Sequence, residues 1–235
     1  MILLAVETAT EACSAALSID GVITERYCVV GNTHSRLILP MIDELLQEAT
    51  LKPGDLDGLA FGRGPGSFTG VRIATSVIQG IALGLGIAVV PVSTLAAIAQ
   101  AYFDHHDNEQ VLVAMDARMQ EVYWAFYQRD RQGFARLRGS EVVSSALDVP
   151  YPEFACVGLG AGWRVYHDQL LPRLAERIIT YDADCLPAAS AIARLGIQGF
   201  TEGLAVPAEQ ALPVYLRDNV AKKESERNLN PPVQL

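Results

Sequence analysis

Leu3-Leu4-Ala5-Val6-Glu7 recurs 109 positions later as Leu112-Val113-Ala114-Met115-Asp116. Each is a short aliphatic run stopped by a carboxylate, which reads as a buried strand. The same shift lays Cys13–Leu17, a second apolar strand, on Val122–Phe126. Both halves of the 235-residue chain therefore open on a strand, a short turn and another strand. At roughly 100–200 residues per domain this length holds one large domain or two small ones. The repeat favours two, and predicts a duplicated α/β fold with Glu7 and Asp116 facing each other across a cleft. The polar run Asp104–Gln110 marks the boundary, giving domains at 1–104 and 105–217. Residues 218–235 are polar, include Pro231-Pro232, and read as a flexible tail.

Between the strands the period changes. Asp20-Gly21 signals a hairpin into a third strand, Val22–Val30. Leu37, Ile38, Met41, Ile42, Leu45, Leu46 and Ala49 recur at helical spacing, with Pro40 inside the run. Leu56–Phe61 is a fourth strand, Thr69 to about Gly84 a second helix, and Ile87–Val92 a fifth strand. Ser93 caps a third helix through Phe103. Ile73–Phe103 holds no charged residue, yet Ser76, Gln79, Gly80, Gly84, Gly86 and Pro91 interrupt it, so it is not a membrane span. The second helix is apolar nearly all round, which implies burial on two sides. Gly80 and Gly84 give it a small-xxx-small spacing that permits close helix approach. Leu37, Met41, Leu45, Ile73, Val77, Ile81 and Leu85 are the expected partner-facing residues. The second half is less regular, with a strand at Phe154–Gly158 and a helix from Pro187 to about Gly199.

Composition narrows the function. Half of the residues are hydrophobic and 19% charged, so most of the chain can bury a core. Lys plus Arg is 18 against 27 Asp plus Glu, a net charge of −9. A protein that grips nucleic acid alone carries a basic stripe, and none is present. Met1 leads into an aliphatic run without a basic stretch, so no secretory signal is expected. Cys13, Cys28, Cys156 and Cys185 form no CxxC pair and suit the reducing cytoplasm. His34, His105, His106 and His167 show no metal-ligand spacing, and no GxSxG occurs. No metal, no hydrolytic triad and no catalytic residue is expected.

Three segments carry chemistry. Gly62-Arg63-Gly64-Pro65-Gly66-Ser67-Phe68-Thr69-Gly70-Val71-Arg72 lies between a strand and a helix. It reads equally as a tight turn capped by Ser67 or Thr69 and as an anion nest. Without a lysine it is not a P-loop. Glu7 and Asp116 suit a hydrated Mg²⁺ on a nucleotide, with Thr8 in the adjoining turn, but the Ala117-Arg118-Met119 turn lacks the glycines a phosphate hairpin uses. Gly158-Leu159-Gly160-Ala161-Gly162 follows a strand without the full dinucleotide register. Glu7, Thr8, Asp116, Gly158 and Gly160 are thus candidates for a vestigial nucleotide cleft.

Glu7–Leu17, Gly62–Arg72, Pro91-Val92-Ser93-Thr94-Leu95, Asp116-Ala117-Arg118 with Glu121-Val122-Tyr123, and Pro213-Val214-Tyr215-Leu216-Arg217 together resemble the TsaB (YeaZ) family. The resemblance implies a duplicated actin-like ATPase fold, of ribonuclease H-like type. It implies a non-catalytic scaffold in the transfer of threonylcarbamoyl to N6 of the tRNA adenosine beside the anticodon. The implied partners are a TsaD-like transferase and a TsaE-like ATPase, with a homodimer when alone and tRNA met only indirectly. TsaD carries two metal-binding histidines as HxxxH; Thr94 and Ile98 stand at those places here. No cofactor is expected, with a nucleotide at the partner joint left open. The alternatives are a stand-alone ATPase or small-molecule kinase using Glu7, Asp116 and Gly158–Gly162, and a homodimeric module unrelated to tRNA.

Overall fold

The computed structural model describes residues 1–31 and 33–217; the tail expected at 218–235 lies outside the described residues. The first half runs β1 (Ile2–Glu7), β2 (Ala12–Ile19), β3 (Val22–Val29), α1 (His34–Glu48), β4 (Gly58–Gly62), α2 (Phe68–Leu85), β5 (Val89–Val92) and α3 (Thr94–Phe103). The second runs β6 (Gln110–Asp116), β7 (Glu121–Arg129), β8 (Ala135–Ser145), β9 (Cys156–Leu159), α4 (Gly162–Val165), α5 (His167–Leu174), β10 (Ile178–Asp182) and α6 (Ala189–Thr201).

Two five-stranded sheets result, ordered β3-β2-β1-β4-β5 and β10-β9-β6-β7-β8. Taken strand for strand they are the same sheet. β1 pairs antiparallel with β2 and parallel with β4, as β6 does with β7 and β9. The repeat at Leu3–Glu7 and Leu112–Asp116 thus marks the central strand of each sheet. β1 is buried on both faces. Leu4 and Val6 pack with α1 and α2, while Leu3 and Ala5 pack with α6. That two-sided burial is why the strand reads as a continuous apolar run.

Caps set the helix ends. Ser67 Oγ accepts from Gly70 N at 3.4 Å, and Gly86, at φ 69°, ends α2. Ser93 Oγ accepts from Leu95 N and Ala96 N at the start of α3. On length and composition α2 passes the test for a membrane span. Its Val71, Ala74, Ile78 and Ala82 row is buried against the rest of the protein, while its outer face is exposed.

The terminal helix of each half crosses over. α3 lays Leu95, Ile98 and Phe103 against Val111, Val113 and Val157 of the second sheet. α6 lays Ala189, Ile192 and Ala193 against Leu3, Ala5, Ala60 and Val90 of the first. Glycines let α6 come close. A Cβ at Gly196 would sit 2.6 Å from the Ala60 methyl, and one at Gly199 2.6 Å from Val90 Cγ1.

Candidate functional site

The glycine-rich turn after β4 receives the β1–β2 turn and closes on it. Ala9 N donates to Glu7 Oε1 at 2.6 Å, and Ser67 N donates to Ala9 O at 2.7 Å. The Thr8 hydroxyl donates to Gly70 O at 2.7 Å. The Thr94 hydroxyl donates to Glu7 Oε2 at 3.1 Å. A Cβ at Gly62 would strike the Glu7 carboxylate, one at Gly70 the Thr8 carbonyl, and one at Gly66 would lie 2.5 Å from Ala9 O. The glycines are therefore needed by the chain's own backbone. Glu7 and Thr8 are fully buried. Burial pushes the Glu7 carboxyl up to about 7, against the lowering effect of the Ala9 and Thr8 N–H groups and the Thr94 hydroxyl.

The other cleft candidates have partners of their own. Asp116 Oδ1 accepts from Arg118 N at 2.8 Å and from the Tyr166 hydroxyl at 2.9 Å. Among the described residues no hydrogen bond joins Asp116 to Glu7. Gly158 lies under the Trp163 ring, where a Cβ would collide with it. Gly160, at φ 95°, sets a Cβ position 2.8 Å from Ala114 O. Both glycines serve the packing of α4 on β6 and β9. Thr94 is taken up by Glu7, and Ile98 is buried against the second sheet. Among the described residues no group of three His, Cys, Asp or Glu side chains is placed to hold a metal ion.

Side chains also bridge the two halves. Arg63 Nη2 donates to Glu141 Oε2 at 3.2 Å, and the Tyr127 hydroxyl donates to Glu141 Oε1 at 2.8 Å. Burial and the neighbouring Glu141 carboxylate hold the Tyr127 phenol well above its ordinary range. Val214 N donates to Arg63 O at 2.8 Å. Arg217 donates to Ala117 O at 3.0 Å and pairs with Glu121. The Pro213–Arg217 block thus runs from the glycine-rich turn to the β6–β7 turn.

The outward feature is on α1 and α2. A groove of about 370 Å³ runs between them, lined by Ser35, Leu39, Phe68, Arg72, Ile73 and Val77 among others. Leu39, Phe68 and Leu83 are exposed, and nothing lies within 4 Å of a Cβ placed on Gly80 or Gly84. Arg72 stacks its guanidinium 3.3 Å from the Phe68 ring centre. Of the expected partner-facing residues, Leu45 alone is sealed away from the surface. Leu45 is only 1% exposed and belongs to the core. Leu37, Met41, Ile73, Val77, Ile81 and Leu85 are half-buried against that core. The all-round apolar character of the second helix assigned them to a partner; the first core takes one flank of each and leaves the other partly open. Leu39, Phe68, Arg72 and Leu83, outside the expected set, are exposed on this face. The available signal was the i, i+4 spacing of Phe68 and Arg72 just past the Ser67 cap.

A family profile described as "TsaD: tRNA N6-adenosine threonylcarbamoyltransferase" matches residues 20–225. The tRNA threonylcarbamoyladenosine biosynthesis protein TsaB of Escherichia coli is 40% identical over 95% of this chain and 98% of its own. Its Haemophilus influenzae counterpart is 39% identical over 94% and 96%. The solved structure of YeaZ from Pseudomonas aeruginosa superposes with a TM-score of 0.84 at 44% identity, covering 92% of this chain and 99% of that one. The fold, the sealed turn and these likenesses agree: the chain belongs to the family of that profile and, within it, to the TsaB (YeaZ) proteins of tRNA threonylcarbamoyladenosine biosynthesis, on a two-domain actin-like fold.

Proposed function

We propose that this chain is a non-catalytic accessory subunit in the biosynthesis of tRNA N6-threonylcarbamoyladenosine. It docks on a TsaD-like transferase, joins a TsaE-like ATPase in a ternary complex, and pairs with itself when alone. The transferase makes most of the tRNA contact, and the complex works in the cytoplasm. No cofactor of its own is assigned to the chain, and the one candidate ligand is a nucleotide at the joint with the partner.

The observation that carries the reading is the outer face of α2. Exposed Leu83 beside open Gly80 and Gly84 offers a strip where a second helix can approach closely, and the groove beside it takes apolar side chains. The buried Glu7–Thr8 turn supports the non-catalytic part, because its donors and acceptors are matched within the chain. Size-exclusion chromatography with a TsaD-family transferase tests the docking. Leu83→Glu puts a charge in the middle of the strip and is expected to abolish co-elution with the fold intact. Unchanged co-elution would overturn this face as the docking surface.

A further inference from the structure

Arg118, Met119 and Gln120 follow one another at φ 61°, 55° and 65°. Residues with side chains enter this region singly and at a cost. Three in succession are held here by the turn's own Ala117 N–Glu121 O, Glu121 N–Arg118 O and Arg118 N–Asp116 Oδ1 bonds and by support from outside the turn. Arg217 gives that support through Ala117 O, Glu121 and a 3.7 Å contact to Met119 Sδ. Two residues earlier, the Tyr215 ring centre lies 6.0 Å from that of Phe68 and 5.6 Å from the Arg72 guanidinium. Phe68 in turn walls both the α1–α2 groove and a cavity of about 130 Å³ lined by Tyr215 and Arg217. An unbroken set of contacts therefore leads from the groove to the turn. At its far end the Arg118 and Met119 side chains stand exposed.

We propose that Pro213–Arg217 is a strap that couples occupancy of the α1–α2 groove to the conformation of the Ala117–Glu121 turn. A side chain seated in the groove presses on Phe68 and Arg72, Tyr215 shifts with them, and Arg217 loosens its hold. The turn then relaxes from its left-handed backbone and re-aims Arg118 and Met119. Strain maintained by neighbouring contacts suits a segment with two arrangements. The coupling rests on the groove being the docking face, but its test needs no partner.

Trypsin cuts after Arg118, and mass spectrometry of the full chain under native conditions reads that one bond. Arg217→Ala is expected to speed the cut by about tenfold, the equivalent of one hydrogen bond to a charged group. Gln120→Gly, whose backbone enters the left-handed region freely, is expected to shrink the effect of Arg217→Ala. Ser76→Trp fills the groove from its rim and is expected to speed the cut, and Tyr215→Ala to erase that change. Equal cleavage of wild type and Arg217→Ala, or an undiminished effect in the Gln120→Gly background, overturns the strap. An inert Ser76→Trp, or an effect that survives Tyr215→Ala, overturns the coupling and leaves the docking face standing. Should the strap behave as stated while no transferase binds the groove, the docking face is wrong and the coupling to groove occupancy holds.

Discussion

The Ser14 hydroxyl oxygen accepts the backbone N–H of Ala189 at 2.9 Å, 175 residues further along the chain. Beside it, Glu25 Oε1 accepts from Ser190 N at 2.7 Å. Helix α6 has no side-chain cap of its own, since Ala188 stands at the N-cap. The first sheet therefore caps a helix that follows the second. Ser14→Ala is expected to cost about 1 kcal/mol, the usual loss of an N-cap. Because α6 joins the halves, urea denaturation should still show a single transition, with its midpoint lowered. Two separated transitions would mean that α6 does not couple them.

Glycines in α2 and α6 should respond oppositely to the same change. Gly84 has open space beyond its α-carbon, so Gly84→Ala is expected to stabilise the protein by ~0.5–1 kcal/mol through helix propensity. Gly196 abuts the Ala60 methyl, so Gly196→Ala is expected to destabilise by ~1–3 kcal/mol despite the same propensity gain. Melting temperatures of the two variants check both signs.

Glu7 makes stability depend on pH. The carboxyl meets the Ala9 N–H in the turn after β1, the Thr94 hydroxyl on α3 and Gly62 on β4, and among the described residues it has no ion-pair partner. Its value of about 7 in the folded chain lies above the unfolded one. Between roughly pH 4.5 and 7 the folded state holds a proton that the unfolded state has lost. Stability from this group therefore falls as pH rises through that window, by roughly 3 kcal/mol in all, and levels off above it. Glu7→Gln keeps the shape and is expected to remove the slope, raising stability at pH 8 relative to wild type. A wild-type slope retained by the variant would assign the dependence elsewhere.

Ser18 Oγ is the one buried side-chain polar atom among the described residues without a hydrogen-bond partner. Its desolvation is uncompensated, so Ser18→Ala is expected to raise stability by up to ~1 kcal/mol. A lower melting temperature in the variant would show that the hydroxyl is satisfied.

The first half was legible because its strands are aliphatic runs and its helices are strongly periodic. Leu3–Glu7 and the helical period of α1 follow from pattern alone. The edge strands of the second sheet were not legible, unlike β3 and β5 at the edges of the first. β8 carries Arg136, Arg138 and Ser140 along an outer edge, and β10 is mostly exposed, so neither shows a buried period. The crossing of α6 was invisible, because Gly196 and Gly199 meet Ala60 and Val90 only in three dimensions. At the site, Gly62–Arg72 read equally as a capped tight turn and as an anion nest. Composition does not distinguish glycines that admit a phosphate from glycines that admit Thr8 and Glu7. The β6–β7 turn was read as glycine-free, and for that reason its left-handed backbone was not anticipated.

A reconstituted transfer of threonylcarbamoyl to tRNA, run with a TsaD-family transferase and a TsaE-like ATPase, separates scaffold from catalyst in one experiment. Glu7→Gln alters the buried turn and leaves the α2 face alone; Gly84→Trp does the reverse. Transfer at the wild-type rate with Glu7→Gln and its loss with Gly84→Trp is the expected result. Transfer abolished by Glu7→Gln while the partner still binds, or sustained by Gly84→Trp, would contradict it.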